Sequence, residues 1–221
     1  MGSTTSSEAK KTPPQHKRRT QAERRQEAED RLLRAGLKLI AHKGIAGITL
    51  AEVGTMAGFS RGIVAHHFGS KAAFIQALIN SIQKDFYENQ RRLAPAPAGL
   101  QRLLASANLY LSRSSKRSAV MNAMVTESII HGGELQQDLR AFTSTAASYY
   151  GNLIQQAVDK GEASFEEDVE AMSIVLLSLL RGLTATLLLL GDDPRADQVR
   201  ATAHQAIKRI LGATPVKPST S

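Results

Sequence analysis

The stretch ITLAEVGTMAGFSRGIVAHHFGSK, residues 48–71, constrains this chain more than any other part of it. Two short helical patterns flank Ala57-Gly58-Phe59, and neither is long enough to be stable alone. Thr49 with Glu52 three residues on forms a capping box that opens the first of them. Gly54 and Ala57 are small enough to let two helices cross closely, and Gly58 tolerates the positive φ that a tight turn between them needs. Val53, Phe59, Val64 and Phe68 then lock the second helix onto the first. The other face carries Arg61, Gly62, Ile63, His66 and His67. A helix of two turns held out with such a face is shaped to enter the major groove of DNA.

Charge points the same way. Residues 1–71 hold 13 Lys/Arg against 6 Asp/Glu, whereas residues 72–221 hold 15 against 14, so nearly all of the net +8 lies in the first third. Such clustering is the electrostatic footprint of a nucleic-acid-binding module, and a solvated basic tail has the same composition.

The remaining periodic segments are helical as well, which makes the expected fold class all-α. Aromatics are only 5% of residues, and the apolar content is mostly Leu, Ala and Ile, a mixture that favours helices over strands. A first helix is expected from about Thr20 to His42, with Gly44 as its stop. Ser60 is expected to cap the third helix, which reaches Phe68. Ser70 caps a fourth from Lys71 to about Leu93, with Phe74, Leu78, Ile82 and Phe86 as its inner stripe. After Pro95 and Pro97 the pattern predicts helices near 98–114, 117–131, 134–160, 166–190 and 195–211. The division expected is a disordered basic tail over 1–16, a DNA-binding unit over 17–70, a larger helical unit over 71–212, and a second disordered tail over 213–221.

Residues 20–75 resemble the DNA-binding domain of the tetracycline-repressor (TetR) family. The matching series is Gly44, Thr49, Gly58, Phe59, Ser60, Arg61, Gly62, His67, Phe68, Ser70, Lys71. The resemblance implies a helix-turn-helix regulator, most simply a dimeric repressor that a small-molecule effector releases from a pseudo-palindromic double-stranded operator. The family pattern places a Tyr two residues before the His-Phe pair, and Ala65 stands there in this chain. A phosphate contact is therefore missing, or comes from His66.

Chemistry assigns the DNA-facing roles. The Arg61 guanidinium can bind guanine O6 and N7 together, and Ile63 can touch a thymine methyl. His66 can hydrogen-bond a base or a phosphate. His67 fits either a base contact or simple packing beside Phe68. Thr49 and Lys71 lie at helix starts, where hydroxyl, ammonium and backbone N–H groups suit phosphate, and Ser60 and Gly62, at the start of the projecting helix, complete the DNA-binding candidates. Arg18 and Arg19 sit in a basic arm that can follow the minor groove or merely solubilise the chain.

In the larger unit, residues 174–190 are apolar around most of a helix, and Val199, Ala203, Ala206, Ile207 and Ile210 form a stripe on the next. Pairing these two helices with a second copy gives a homodimer. An effector cavity would draw on Phe86, Tyr110, Met121, Met124, Phe142, Tyr149 and Leu177, with Asn108, Glu127, His131 and Arg181 as polar candidates. Glu127 and His131 lie at i, i+4 on one helix face, a spacing that can bind a metal or a polar ligand group and that more commonly marks an ordinary helix-end pair. Arg181 on a greasy helix must be paired or wet, either by a carboxylate across the dimer interface or by an anionic ligand.

Other classes fit poorly. With no cysteine there is no disulfide, zinc-thiolate site or Cys nucleophile, and a reducing cytoplasm suits the chain. Met1–Thr20 lacks the apolar core of an export signal. Ile174–Leu190 is short for a membrane span and carries Arg181, so no membrane partner is expected. The candidate catalytic groups, Glu127, His131, His66 and His67, are scattered. No phosphate loop, nucleophile elbow or carboxylate pair accompanies them, so neither enzyme activity nor a cofactor or metal is expected. A DNA-binding activator or architectural protein without a ligand is the remaining alternative.

Overall fold

The structure is a computed structural model that describes residues 20–93, 95–112 and 116–213. Arg18 and Arg19, the N-terminal tail and residues 214–221 lie outside the described residues. Among the described residues the regular structure is entirely helical. The elements are α1 (Gln21–Lys43), α2 (Leu50–Met56), α3 (Ile63–Phe68), α4 (Lys71–Arg92), α5 (Leu100–Ser112), α6 (Lys116–His131), α7 (Glu134–Asp159), α8 (Val169–Leu190) and α9 (Arg195–Ile210).

Short-range hydrogen bonds set most of the starts. Thr20 caps α1 reciprocally with Glu23, and Thr49 caps α2 with Glu52: each hydroxyl accepts from the Glu N–H while each carboxylate accepts from the Thr N–H. The Ser70 hydroxyl accepts from the Ala73 N–H at 3.1 Å, and the Asp168 carboxylate accepts from the Ala171 N–H at 2.9 Å. Ser60 departs from expectation. Its side chain caps nothing; the Ile63 N–H instead donates to the Ser60 carbonyl, so residues 60–63 form a turn and α3 begins only at Ile63. At the other end, Ala213 is not part of a free tail. Its N–H donates to the Lys208 carbonyl and its side chain packs on the core.

Two buried clusters organise the packing. One joins Leu32, Ile40, Val53, Val64, Phe74 and Leu78 of α1–α4 to Val120 and Met124 of α6 and Leu139 of α7. The other joins α5, α7, α8 and α9 around Leu103, Tyr150, Ile154, Leu180, Leu187 and Ile207. Within it the Ser106 hydroxyl donates to the buried Tyr150 hydroxyl at 3.2 Å. Helix α4 bridges the two, packing on α1 and α3 at one end and on α7 at the other. Helix α8 is long and apolar enough to cross a membrane by length and composition alone. Here it packs against α5, α6, α7 and α9, with Leu176, Leu180 and Leu187 buried.

Candidate nucleic-acid interface and internal cavity

The turn between α2 and α3 is held by contacts that leave little freedom. Gly58 takes φ +77°, and the Phe59 N–H donates to the Gly54 carbonyl at 2.9 Å. Arg31 of α1 locks the turn from outside. Its Nη2 donates to the Ala57 carbonyl at 2.6 Å while its guanidinium lies 4.5 Å over the Phe59 ring. Gly54 lets the backbones approach: a Cβ there would stand 2.7 Å from the Ser60 carbonyl oxygen and 3.5 Å from Ile63 and Val64 methyls. Val53 and Val64 are fully buried, and Phe68 packs edge-on against Phe74 with ring centroids 5.1 Å apart. The short helix α3 is thus pinned from below along its whole length.

The outer face carries exposed Arg61, Gly62, Ala65 and His66, with His67 half-buried. Ile63 is not free as expected; it turns partly into the seam beside Gly54 and packs on the α1–α4 core. Thr49 and Lys71 have partners within the chain. The Thr49 hydroxyl serves the capping box, and Lys71 Nζ donates to the Ala46 carbonyl at 3.2 Å. The start of α1 lies beside α3. Gln21, Arg24, Arg25 and Ala28 form one wall of a groove of about 690 Å³ whose other wall is His66 and His67. A cationic wall next to a projecting helix matches the backbone beside a major groove.

A cavity of about 380 Å³ lies between α4, α5, α6, α7 and α8. Phe86, Tyr110, Met121, Phe142, Leu177 and Arg181 line it together. The other candidates point elsewhere. Asn108 lies on the outer side of α5, where its Oδ1 meets His204 Nδ1 of α9 at 3.1 Å. Met124 is fully buried in the α1–α4 cluster. Glu127 lies outside the cavity, and His131 is exposed at the end of α6. Tyr149 stands behind the wall: its hydroxyl donates to Gln90 Oε1 at 2.9 Å and its ring packs edge-on against Phe86. Arg181 faces this cavity rather than the outer side of α8, and its Nη2 donates to Thr143 Oγ1 at 3.0 Å. Burial pushes the Tyr110 phenol above its ordinary value, with Arg181 opposing that rise.

Residues 32–78 match the model for bacterial regulatory proteins of the tetR family, and residues 98–212 match that for the C-terminal region of BetI-type transcriptional repressors. This chain belongs to the TetR family. Its relatives are named transcriptional regulators. The HTH-type transcriptional regulator CymR of Pseudomonas putida is 26% identical over 83% of this chain and 91% of its own length. The HTH-type transcriptional regulator TtgR, also of Pseudomonas putida, is 28% identical over 80% of this chain and 87% of its own. A TetR-family regulator from Rhodococcus sp. superposes with a TM-score of 0.73 over 84% of this chain and 99% of that one, at 23% identity, and so shows the shared fold.

For a TetR-family regulator two features of the site were hard to see in one dimension. Arg24 and Arg25 belong to the groove beside α3, although the sequence shows them only as polar residues on the back of the first helix. Their position one turn after the Thr20 cap was the available signal. The ion pair between Arg117 and Asp85 on the cavity wall joins α6 to α4, and no spacing rule reports such a contact.

Proposed function

We propose that this TetR-family regulator is a homodimeric repressor that binds a two-half-site operator through α3 and leaves it when an effector fills the cavity between α4 and α8. The projecting face of α3 and the turn before it carry the reading: a short helix locked from below, with Arg61 of the turn and His66 of the helix exposed and Arg24 and Arg25 alongside. Arg61 reads a base edge, His66 a base or a phosphate, and the α1 arginines hold the phosphates. Gly62 N–H and the arm at Arg18 and Arg19 add backbone contacts. In this reading the DNA-binding unit ends near residue 70, and residues 71–212 bind the effector and the second protomer.

The outer face of α8 and α9 supports the dimer. Val175 is 52% exposed and Leu189 89% exposed, and a groove of about 370 Å³ lined by Leu179, Leu183, Val199 and Ala206 runs between the two helices. Exposed Ser178, Gly182 and Thr186 recur at four-residue spacing along α8 and permit close approach of another helix. The dimer sets two α3 helices about one DNA turn apart, and an effector that wedges α4 from α7 alters that spacing.

Fluorescence anisotropy with the duplex upstream of the gene, across a range of salt and against a random duplex, tests the reading. Two protomers per site, with affinity about a thousandfold above random DNA, is the expected result. If selection from random DNA libraries also recovers no preferred sequence, the reading fails.

A further inference from the structure

The cavity carries an unbalanced charge. Its one carboxylate among the described residues is Asp85, and Arg117 already occupies it in an ion pair. Arg181 meets only neutral oxygens among the described residues, the Thr143 hydroxyl and the Tyr110 phenol, and its Nε is buried without a partner. Tyr110 cannot supply the missing charge, because burial keeps its phenol protonated at neutral pH. A guanidinium left in this state is held at a cost that a bound anion removes. The rest of the wall is largely apolar, with Phe86, Met121, Phe142 and Leu177 around the charged end. At about 30 Å³ for each water-sized group, 380 Å³ accommodates about a dozen non-hydrogen atoms.

We infer that the effector is a compact amphipathic monoanion, an aromatic or branched carboxylate. Its carboxylate meets Arg181, and its body lies among Phe86, Phe142 and Leu177. The inference rests on the reading of this cavity as the effector site. It excludes cationic amphiphiles, because Asp85 is engaged and a second positive charge beside Arg181 is repelled.

The test is calorimetric titration of the full chain with phenylpropanoate, its primary amide and phenylpropylamine, with naphthoate and its amide as a second pair. The acid is expected to bind about 10- to 100-fold more tightly than the amide, the range of a charge-assisted hydrogen bond, with no detectable binding of the amine. Arg181→Gln should erase the gap between acid and amide, and Arg181→Lys should restore part of it, with circular-dichroism melts showing that both variants fold. Equal affinity for acid and amide, preference for the amine, a gap that survives Arg181→Gln, or failure of both acids to bind each overturns the inference. An acid that binds with the expected signature but leaves affinity for DNA unchanged upholds the cavity's preference for a monoanion, and refutes the reading of that cavity as the site from which an effector releases DNA.

Discussion

Gly54→Ala separates the cost of crowding the helix-turn-helix from the cost of losing its fold. Helix propensity alone favours the substitution by about 1 kcal/mol, because alanine is the better helix former. Geometry opposes it. The new methyl would sit 2.7 Å from the Ser60 carbonyl oxygen, and reaching an ordinary 3.4 Å requires a shift of about 0.7 Å. The obstacle is backbone, so no rotamer change relieves it, and overpacking of this kind costs about 1–3 kcal/mol. Net destabilisation is therefore about 0–2 kcal/mol, the overpacking cost less the propensity gain, small enough for the chain to stay folded. Affinity for DNA should fall further. Ser60 precedes Arg61, and a displacement of about 0.7 Å exceeds the range over which N–H···O bonds keep their geometry. Losing the base contact proposed for Arg61 would cost about 1–3 kcal/mol per half-site, and the proposed dimer would lose it twice. Urea denaturation gives the first quantity, and anisotropy on operator and random duplexes gives the second. A variant that gains the full propensity term, or keeps operator affinity within about threefold of the parent, would refute the claim that this crossing positions the recognition helix.

Arg61→Ala should cost about 1–3 kcal/mol on the operator and relax discrimination at one base pair, whereas Arg24→Ala with Arg25→Ala should weaken operator and random DNA alike and flatten the salt dependence; anisotropy titrations at several salt concentrations distinguish the two. Glu52 is held below its ordinary value first by Lys43 and then by its hydrogen bonds to Thr49. Its stabilising effect is therefore present above the unfolded carboxylate range and lost as pH falls through the lower folded value. Glu52→Gln should accordingly lower the urea midpoint at neutral pH and match the parent in strong acid. Ser106→Ala leaves the buried Tyr150 hydroxyl without its partner at about 1–3 kcal/mol, and adding Tyr150→Phe should recover part of that loss in a double-mutant cycle of denaturant melts. Gly182 is exposed, with nothing within 4 Å of an added Cβ. Gly182→Arg should leave the protomer folded but shift sedimentation equilibrium from dimer to monomer, and an unchanged dimer would move the interface away from α8.

Much of the fold is legible because its signals are local. Thr49 and Glu52, Ser70 and Ala73, and Gly44 after α1 act over three or four residues of chain, so the sequence alone determines where α1, α2 and α4 begin or end. The crossing of α2 and α3 is nearly as local, since Gly54, Gly58 and Val64 lie within eleven residues of one another. Ser60 is the exception: a turn hydrogen bond to its backbone replaced the cap that its side-chain chemistry allows. Periodicity also defines the stripes of the later helices, but a stripe does not name the neighbour it meets. Helix α6 packs on α1, α7 and α8 at once, so Met121 reaches the cavity while Met124, three residues on, is buried against α1–α4. For the same reason Asn108 went to His204 and Glu127 stayed outside. Only the tertiary structure decided that Arg181 turns inward, that Arg117 takes Asp85, and that Arg24 and Arg25 stand beside His66. Each of these depends on the rotation of one helix against another, which packing of the whole core sets and no single segment encodes.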